Sequence, residues 1–285
     1  MNSFSLDSET IQKAISIALA EDIGTGDVTT LSLIPAEARA EAVMKARQPL
    51  SVAGLDLAAE AYRQIDPSTE ITYCCADGDQ LNQGDILLHL KGSARAILTA
   101  ERVSLNFIQR LSGIATLSRQ FTDKIAGTKA KLLDTRKTTP GWRKFEKYAV
   151  TCGGATNHRF GLYDMILIKD NHLVTLRDAK PNAVAAAIQR ARAAYPNLKV
   201  EVEADTLEQV SQAADAGADI ILLDNMTNEM MSQAVQIVQG RSLLEASGGV
   251  TLQTVRGKAE TGVDFISVGA LTHSVPAVDI GLDFI

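Results

Sequence analysis

At 285 residues, 46% hydrophobic and 22% charged, the chain has the makeup of a folded protein large enough for a barrel or two domains, which sets disorder aside. A formal net charge of −6 argues against a general nucleic-acid binder, because such proteins present a basic face to phosphates. No apolar run approaches the roughly 20 residues needed to cross a bilayer, and the start MNSFSLDSET lacks the basic and apolar regions of a signal peptide, so a cytoplasmic protein without a membrane partner is expected. Cys74, Cys75 and Cys152 fit neither a disulfide framework nor the spacing of a zinc site.

In chain order, a helical stretch is expected from Ser8 to Ala20, a Gly-rich turn from Gly24 to Asp27, and short strands around Ala40 to Lys45 and Ile86 to Leu90, together a small α/β domain. From Ala94 to about Phe121, Ile97, Leu98, Leu105, Ile108 and Leu111 recur at helical spacing, while Arg102, Asn106, Gln109 and Gly113 fall on another face. That pattern predicts one long helix leading into a second domain. Beyond it, strand and helix alternate about every 20 residues. The strand candidates are Lys131 to Asp134, Met165 to Ile168, Val200 to Glu203, Ile220 to Leu223, Leu243 to Ala246 and Phe265 to Val268. Runs such as IILL indicate strands buried on both faces, as in a parallel sheet. A closed α/β barrel is expected over an open doubly wound sheet, because no GxGxxG follows the first strand and polar residues end nearly every strand.

Those strand ends carry the chemistry. LLDTRK places Arg136 and Lys137, ILIKDNH places Lys169, VEVEAD places Glu201 and Glu203, and ILLDN places Asp224. In an α/β barrel such ends converge on the face that holds the active site. SGGV and SVGAL, with Ser247, Gly248, Gly249, Ser267 and Gly269, each follow a strand and precede a helix, so their backbone N–H groups suit a phosphate. Which of them meets which phosphate stays open. Between Lys131 and Asn171 lie eight Lys or Arg residues against four acids, a basic segment in an acidic chain that points to a confined site for a small polyanion.

The segment from Asp134 to His172, DTRKTTPGWRKFEKYAVTCGGATNHRFGLYDMILIKDNH, closely resembles the signature of quinolinate phosphoribosyltransferases. The resemblance continues through EDIGTGDVTT, ERVSLNFIQRLSGIAT, VEVE, LLDN, SGG and ISVGALTHS, and so covers nearly the whole chain. It implies an incomplete, seven-stranded α/β barrel with a smaller N-terminal α/β sandwich domain. The implied domains are 1–112, with the start of the long helix; 113–272, the barrel; and 273–285, a tail packing back on the first domain. It also implies a head-to-tail homodimer with composite active sites, any higher assembly being left open.

The reaction implied is that of quinolinate with phosphoribosyl pyrophosphate to give nicotinate mononucleotide, pyrophosphate and carbon dioxide, in de novo NAD biosynthesis. By motif, Arg136, His158, Arg159 and Lys169 would line the pocket for the quinolinate carboxylates, with Lys137 near the pyrophosphate and Arg102 reaching in from the neighbouring subunit. Glu203 and Asp224 would hold Mg²⁺ and, with Lys137 and Lys169, form the catalytic set. Glu201, two residues before Glu203 and on the same strand face, is not separable from it in role. Planar guanidinium forks suit a substrate with two adjacent carboxylates, and Mg²⁺ prefers one or two carboxylates plus substrate oxygens. Two departures, Ala155 where the family commonly has a third glycine and Trp142 where leucine is frequent, bear on loop geometry rather than on a catalytic side chain. The alternatives are a nicotinate-specific enzyme, a paralogue associated with molybdenum transport, and a non-catalytic phosphate-ligand sensor on the same barrel.

Overall fold

The computed structural model describes residues 5–285, and the chain divides into two compact units. The first comprises the described part of Met1–Arg119 with Thr139–Gly154 and Ser274–Ile285; the second comprises Gln120–Thr138 and Ala155–His273. Thus the chain leaves the first unit and returns to it twice.

In the first unit, α1 (Ser8–Ile23) begins where the Asp7 carboxylate accepts the Thr10 N–H at 2.7 Å and ends at Gly24, whose φ of 52° suits only glycine at low cost. Its buried stripe is Ile11, Ile15 and Leu19, spaced four apart as one helix face requires. There follow α2 (Val28–Leu33), β1 (Arg39–Ala46), β2 (Leu50–Ser51), α3 (Leu55–Ile65), β3 (Glu70–Tyr73), β4 (Gln80–Leu81) and β5 (Ile86–Ser93). The α3 N-terminus is held by Asp77, which accepts the N–H groups of Gly54 and Leu55. The long helix α4 (Ala94–Lys124) buries Ile97, Leu105, Ile108 and Leu111 and leaves Arg102 and Asn106 exposed. Gln109 and Gly113 instead meet the C-terminal segment: Gln109 donates to the Ile280 carbonyl at 2.6 Å, and a Cβ at Gly113 would collide with the Pro276 carbonyl. After α5 (Arg143–Cys152), the chain's last strand, β12 (Ile280–Phe284), pairs antiparallel with β1 and completes a sheet of order β12-β1-β5-β3.

Trp142, just before α5, stacks on Phe107 of α4 with ring centroids 4.8 Å apart and planes 9° from parallel, and Phe145 packs edge-on against both rings. The tryptophan is thereby a hydrophobic anchor for the loop entering α5, a role in which a leucine would fill less volume.

The second unit alternates strand and helix: β6 (Lys131–Leu133), β7 (Ile166–Ile168), α6 (Asp170–Thr175), α7 (Ala183–Ala194), β8 (Val200–Ala204), α8 (Leu207–Asp215), β9 (Ile220–Asp224), α9 (Asn228–Val238), β10 (Leu243–Ser247), α10 (Val255–Glu260), β11 (Phe265–Ser267) and α11 (Ala270–His273). All six strand candidates are present, and their order is β6-β11-β10-β9-β8-β7 with every pairing parallel. The first strand therefore pairs with the last, as in a ring wound in one direction; a doubly wound sheet would reverse direction instead. On its other side β6 meets Thr156 through a single parallel bridge, Leu133↔Thr156. Thr156 thus occupies the place of a seventh strand between β6 and β7 in chain order, and no paired strand links it to β7 among the described residues. The second unit is thus a six-stranded parallel sheet whose edge strand β6 carries one further bridge where a seventh strand was expected.

Candidate active site

The second unit brings most of the expected side chains together at the carboxyl ends of its strands. Deepest is a cluster around His158. Asp134, fully buried at the end of β6, accepts the His158 backbone N–H at 2.8 Å and the Asn157 side-chain amide at 2.7 Å, which fixes the NHR turn. The imidazole Nε2 then lies 3.1 Å from Glu201 Oε2 on β8 and 3.5 Å from Glu245 Oε2 on β10. Both glutamates are fully buried, and no described group other than His158 lies in range of their four carboxylate oxygens as a hydrogen-bonding partner.

Two buried anions sharing one imidazole would be costly if uncompensated. The compensation is positive charge. Burial by itself pulls the His158 pKa down, but hydrogen bonds and charge from Glu201 and Glu245 outweigh it and raise it to about 10. Arg159 adds its charge to the Glu201 side and donates from Nη1 to the Met165 carbonyl at 3.0 Å. The Arg159 pKa is itself lowered, first by burial and then by the charge of nearby Arg136. The Glu201 pKa is raised, first by burial and then by the Glu245 charge. The result groups Arg136, Arg159 and His158 against two buried glutamates, of which Glu201 is shifted toward its neutral form.

A second cluster lies toward the strand ends. Glu203 follows Glu201 on the same side of β8, and its carboxylate meets Lys169 Nζ at 3.4 Å. The Glu203 pKa is raised by burial, against which Lys169 acts, while Asp224 raises it further. Ligand atoms of Glu203, Asp205 and Asp224 all lie within 4.8 Å of one another. Three carboxylates offering only oxygen fit a hard dication that keeps several of its positions for water or substrate oxygens, so these residues suit Mg²⁺.

The glycine turns adjoin this cluster. Ser247 stands opposite Asp224 in the β9–β10 register, and Gly248 and Gly249 follow it with φ of 89° and 59°, backbone that a Cβ would strain. Gly269 sits between Lys137 and His273: a Cβ there would lie 3.1 Å from Lys137 Cδ and 3.0 Å from His273 Nε2. The buried Thr272 hydroxyl donates to the Lys137 carbonyl at 2.7 Å. Ser267 is buried at the end of β11, opposite Leu133.

Of the expected residues, Arg102 alone belongs to the first unit, where it is exposed on α4. Sequence reasoning passed over Glu245, Asp205, Asn225, Thr272 and His273 as participants. Glu245 could have been found from LLEAS, since an acid inside an apolar strand run must meet a partner in the interior; His273 could have been found from ISVGALTHS, where it ends the turn that carries Gly269.

Comparison with known proteins bears on the whole arrangement. Residues 27–112 match the family model for the quinolinate phosphoribosyl transferase N-terminal domain, and residues 114–283 that for its C-terminal domain. The chain is 42% identical over 274 residues to a probable nicotinate-nucleotide pyrophosphorylase [carboxylating] of Bacillus subtilis, covering 96% of this chain and 93% of that one. It is 43% identical over 272 residues to the nicotinate-nucleotide pyrophosphorylase [carboxylating] of Mycobacterium leprae, covering 93% and 94%. Among solved structures, the nicotinate-nucleotide pyrophosphorylase of Francisella tularensis superposes with a TM-score of 0.93 at 40% identity, covering 100% of this chain and 99% of that one. With both domain models and relatives of this identity spanning nearly its full length, the chain belongs to the quinolinate phosphoribosyltransferase family.

Proposed function

We propose that the chain joins quinolinate to phosphoribosyl pyrophosphate, releasing pyrophosphate and carbon dioxide and leaving nicotinate mononucleotide. The observation that carries this reading is the cationic surface of Arg136, Arg159 and His158 backed by buried Glu201 and Glu245, one strand step from the Glu203–Asp224 pair. Such a surface suits a planar dianion, whose carboxylates take paired, charge-assisted bonds from guanidinium groups. Lys169, 3.4 Å from Glu203, exchanges that carboxylate for a substrate one when quinolinate binds.

The pyridine nitrogen attacks the anomeric carbon as pyrophosphate leaves, and Glu203 and Asp224 face the positive charge that develops on the ribose. Mg²⁺, when held by these two residues, would make pyrophosphate a better leaving group. Lys137, beside Gly269, neutralises departing phosphate charge, and the 247–249 and 267–269 turns bind phosphate oxygens through backbone N–H groups. Once alkylated, the positively charged ring stabilises the electron pair left at carbon 2 as the adjacent carboxylate departs as carbon dioxide, and carbon 2 then takes a proton from solvent; the cationic surface holds the other carboxylate and keeps the ring oriented.

The same proposal includes a homodimer in which exposed Arg102 serves a neighbour's site. It includes a cytoplasmic location, in keeping with three free thiols, the form that cysteine keeps in a reducing compartment. The test is a comparison of pyridine acids with purified protein, phosphoribosyl pyrophosphate and Mg²⁺, following carbon dioxide and the mononucleotide. Quinolinate should be used with a kcat/KM at least about 100-fold above that for nicotinate, which would leave a half-buried cation without its anion. Comparable values for the two acids would replace this reading with a nicotinate-specific one.

A further inference from the structure

Asn225 follows the last residue of β9 with φ of 53°, and only one other described non-glycine residue, Gln239, has positive φ. Gln239 caps the C-terminus of α9, where a left-handed residue is an ordinary way to end a helix. Asn225 ends a strand, so helix termination does not account for it. Left-handed backbone away from glycine persists where its surroundings over-determine it, and those surroundings are specific here. The Asn225 backbone N–H donates to the Ser247 carbonyl at 3.1 Å, tying the turn to the end of β10. Its side-chain Nδ2 donates to Asp224 Oδ2 at 2.8 Å. Its Oδ1 lies so close to Gly248 that a Cβ on that glycine would collide with it.

The left-handed turn thus aims one amide across the gap between β9 and β10, with the donor on the Asp224 carboxylate and the acceptor against the glycine turn. A carboxylate on a single bond is free to rotate, whereas a donor fixed on Oδ2 leaves Oδ1 presented in one direction. Gly248, for its part, must lack a side chain for the amide to occupy that place.

We propose that Asn225 is a positioning residue for the reaction: it aims the Asp224 carboxylate and seats the Gly248 turn, so that the cation end and the phosphate end of the site are set by one side chain. The proposal rests on the reading of Glu203 and Asp224 as the Mg²⁺ carboxylates.

The test uses Asn225→Gly, which adopts the same backbone without strain and so folds, but lacks the amide. Mn²⁺ is titrated into the full-length protein with phosphoribosyl pyrophosphate and no quinolinate, and free Mn²⁺ is read by electron paramagnetic resonance. Removing a group that orients a metal ligand should weaken Mn²⁺ about tenfold while the thermal midpoint stays level or rises. In steady state the KM for phosphoribosyl pyrophosphate should rise more than kcat falls. A double-mutant cycle tests the second contact. Gly248→Ala should weaken Mn²⁺ binding less in the Asn225→Gly background than in wild type, because the oxygen that its Cβ would strike is gone. Wild-type Mn²⁺ affinity in Asn225→Gly, or full additivity in the cycle, overturns the proposal alone. Wild-type protein that takes up no Mn²⁺ under these conditions removes the metal reading, and the proposal with it.

Discussion

Glu201, Glu245 and His158 form the part of the site where burial and charge oppose each other most strongly, and the balance has a measurable pH signature. In the folded protein the His158 pKa is raised from 6.5 to about 10, because the two carboxylates outweigh burial. The folded state therefore binds a proton that the unfolded chain has lost. The stabilisation is complete below about 6.5 and disappears as pH rises through about 10. Opposing this, the Arg159 backbone N–H points at Nδ1 from 2.8 Å, so the first ring proton sits on Nε2, toward the carboxylates. Glu245→Gln removes one anion and keeps the shape. Its His158 should titrate nearer the ordinary histidine range in a ¹⁵N NMR titration, and its KM for quinolinate should rise severalfold with little change in folding. A wild-type ring that titrates near 6.5 would show that the carboxylates do not hold the proton. At this scale legibility followed motif position. Arg136, Lys169, Glu203 and Asp224 lie at or just beyond strand ends and His158 in the NHR turn, all in recognisable segments, whereas Glu245 stands inside LLEAS and meets His158 through folding alone, across a long stretch of chain.

Elements were legible where their pattern was local. The strands of the second unit are short and mainly apolar, apart from VEVEA, which alternates apolar residues with acids, and three of its helices begin with a side chain that accepts the N–H three residues on: Asn182 for α7, Thr206 for α8 and Thr227 for α9. The seventh strand position was not legible, because Thr156 contributes one bridge and carries no apolar run of its own. The α8 start is the most elaborate of the three. Thr206 accepts the Gln209 N–H at 3.2 Å, while Gln209 Oε1 accepts the N–H groups of Thr206 at 3.1 Å and Asp205 at 2.8 Å. This reciprocal box directly follows the strand that carries Glu203 and so fixes how the chain leaves the site. Thr206→Ala should cost about 1 kcal/mol, a drop of roughly 2–4 °C in thermal midpoint. Gln209→Ala should cost a similar amount, and the double variant less than the sum, since each change breaks the same box. Additive losses in calorimetry would mean that the two side chains cap independently.

For the whole molecule, what could not be read from periodicity is that the first unit is assembled from three stretches of chain. Helical spacing and strand alternation report local faces; they do not say that Thr139–Gly154 and Ser274–Ile285 pack with the residues before Gln120. The consequence is that the first unit depends on the last residues made. β12 pairs with β1 from Ala42↔Phe284 to Ala46↔Ile280, and without it β1, paired on its other side with β5, becomes an exposed edge. The chain's single tryptophan, Trp142, stacks on Phe107 within this unit and reports on it alone. A protein ending at Val278 should therefore show a tryptophan fluorescence transition several degrees below that of the full chain. Its far-ultraviolet circular dichroism should then split into two steps, the later one belonging to the second unit, whose parallel sheet keeps all its pairings. Amide exchange should quicken at residues 42–46 and remain slow at 220–224. If fluorescence and circular dichroism of the truncated protein still change together at the full-length midpoint, the first unit does not rely on β12, and its stability resides in α4 and the aromatic cluster instead.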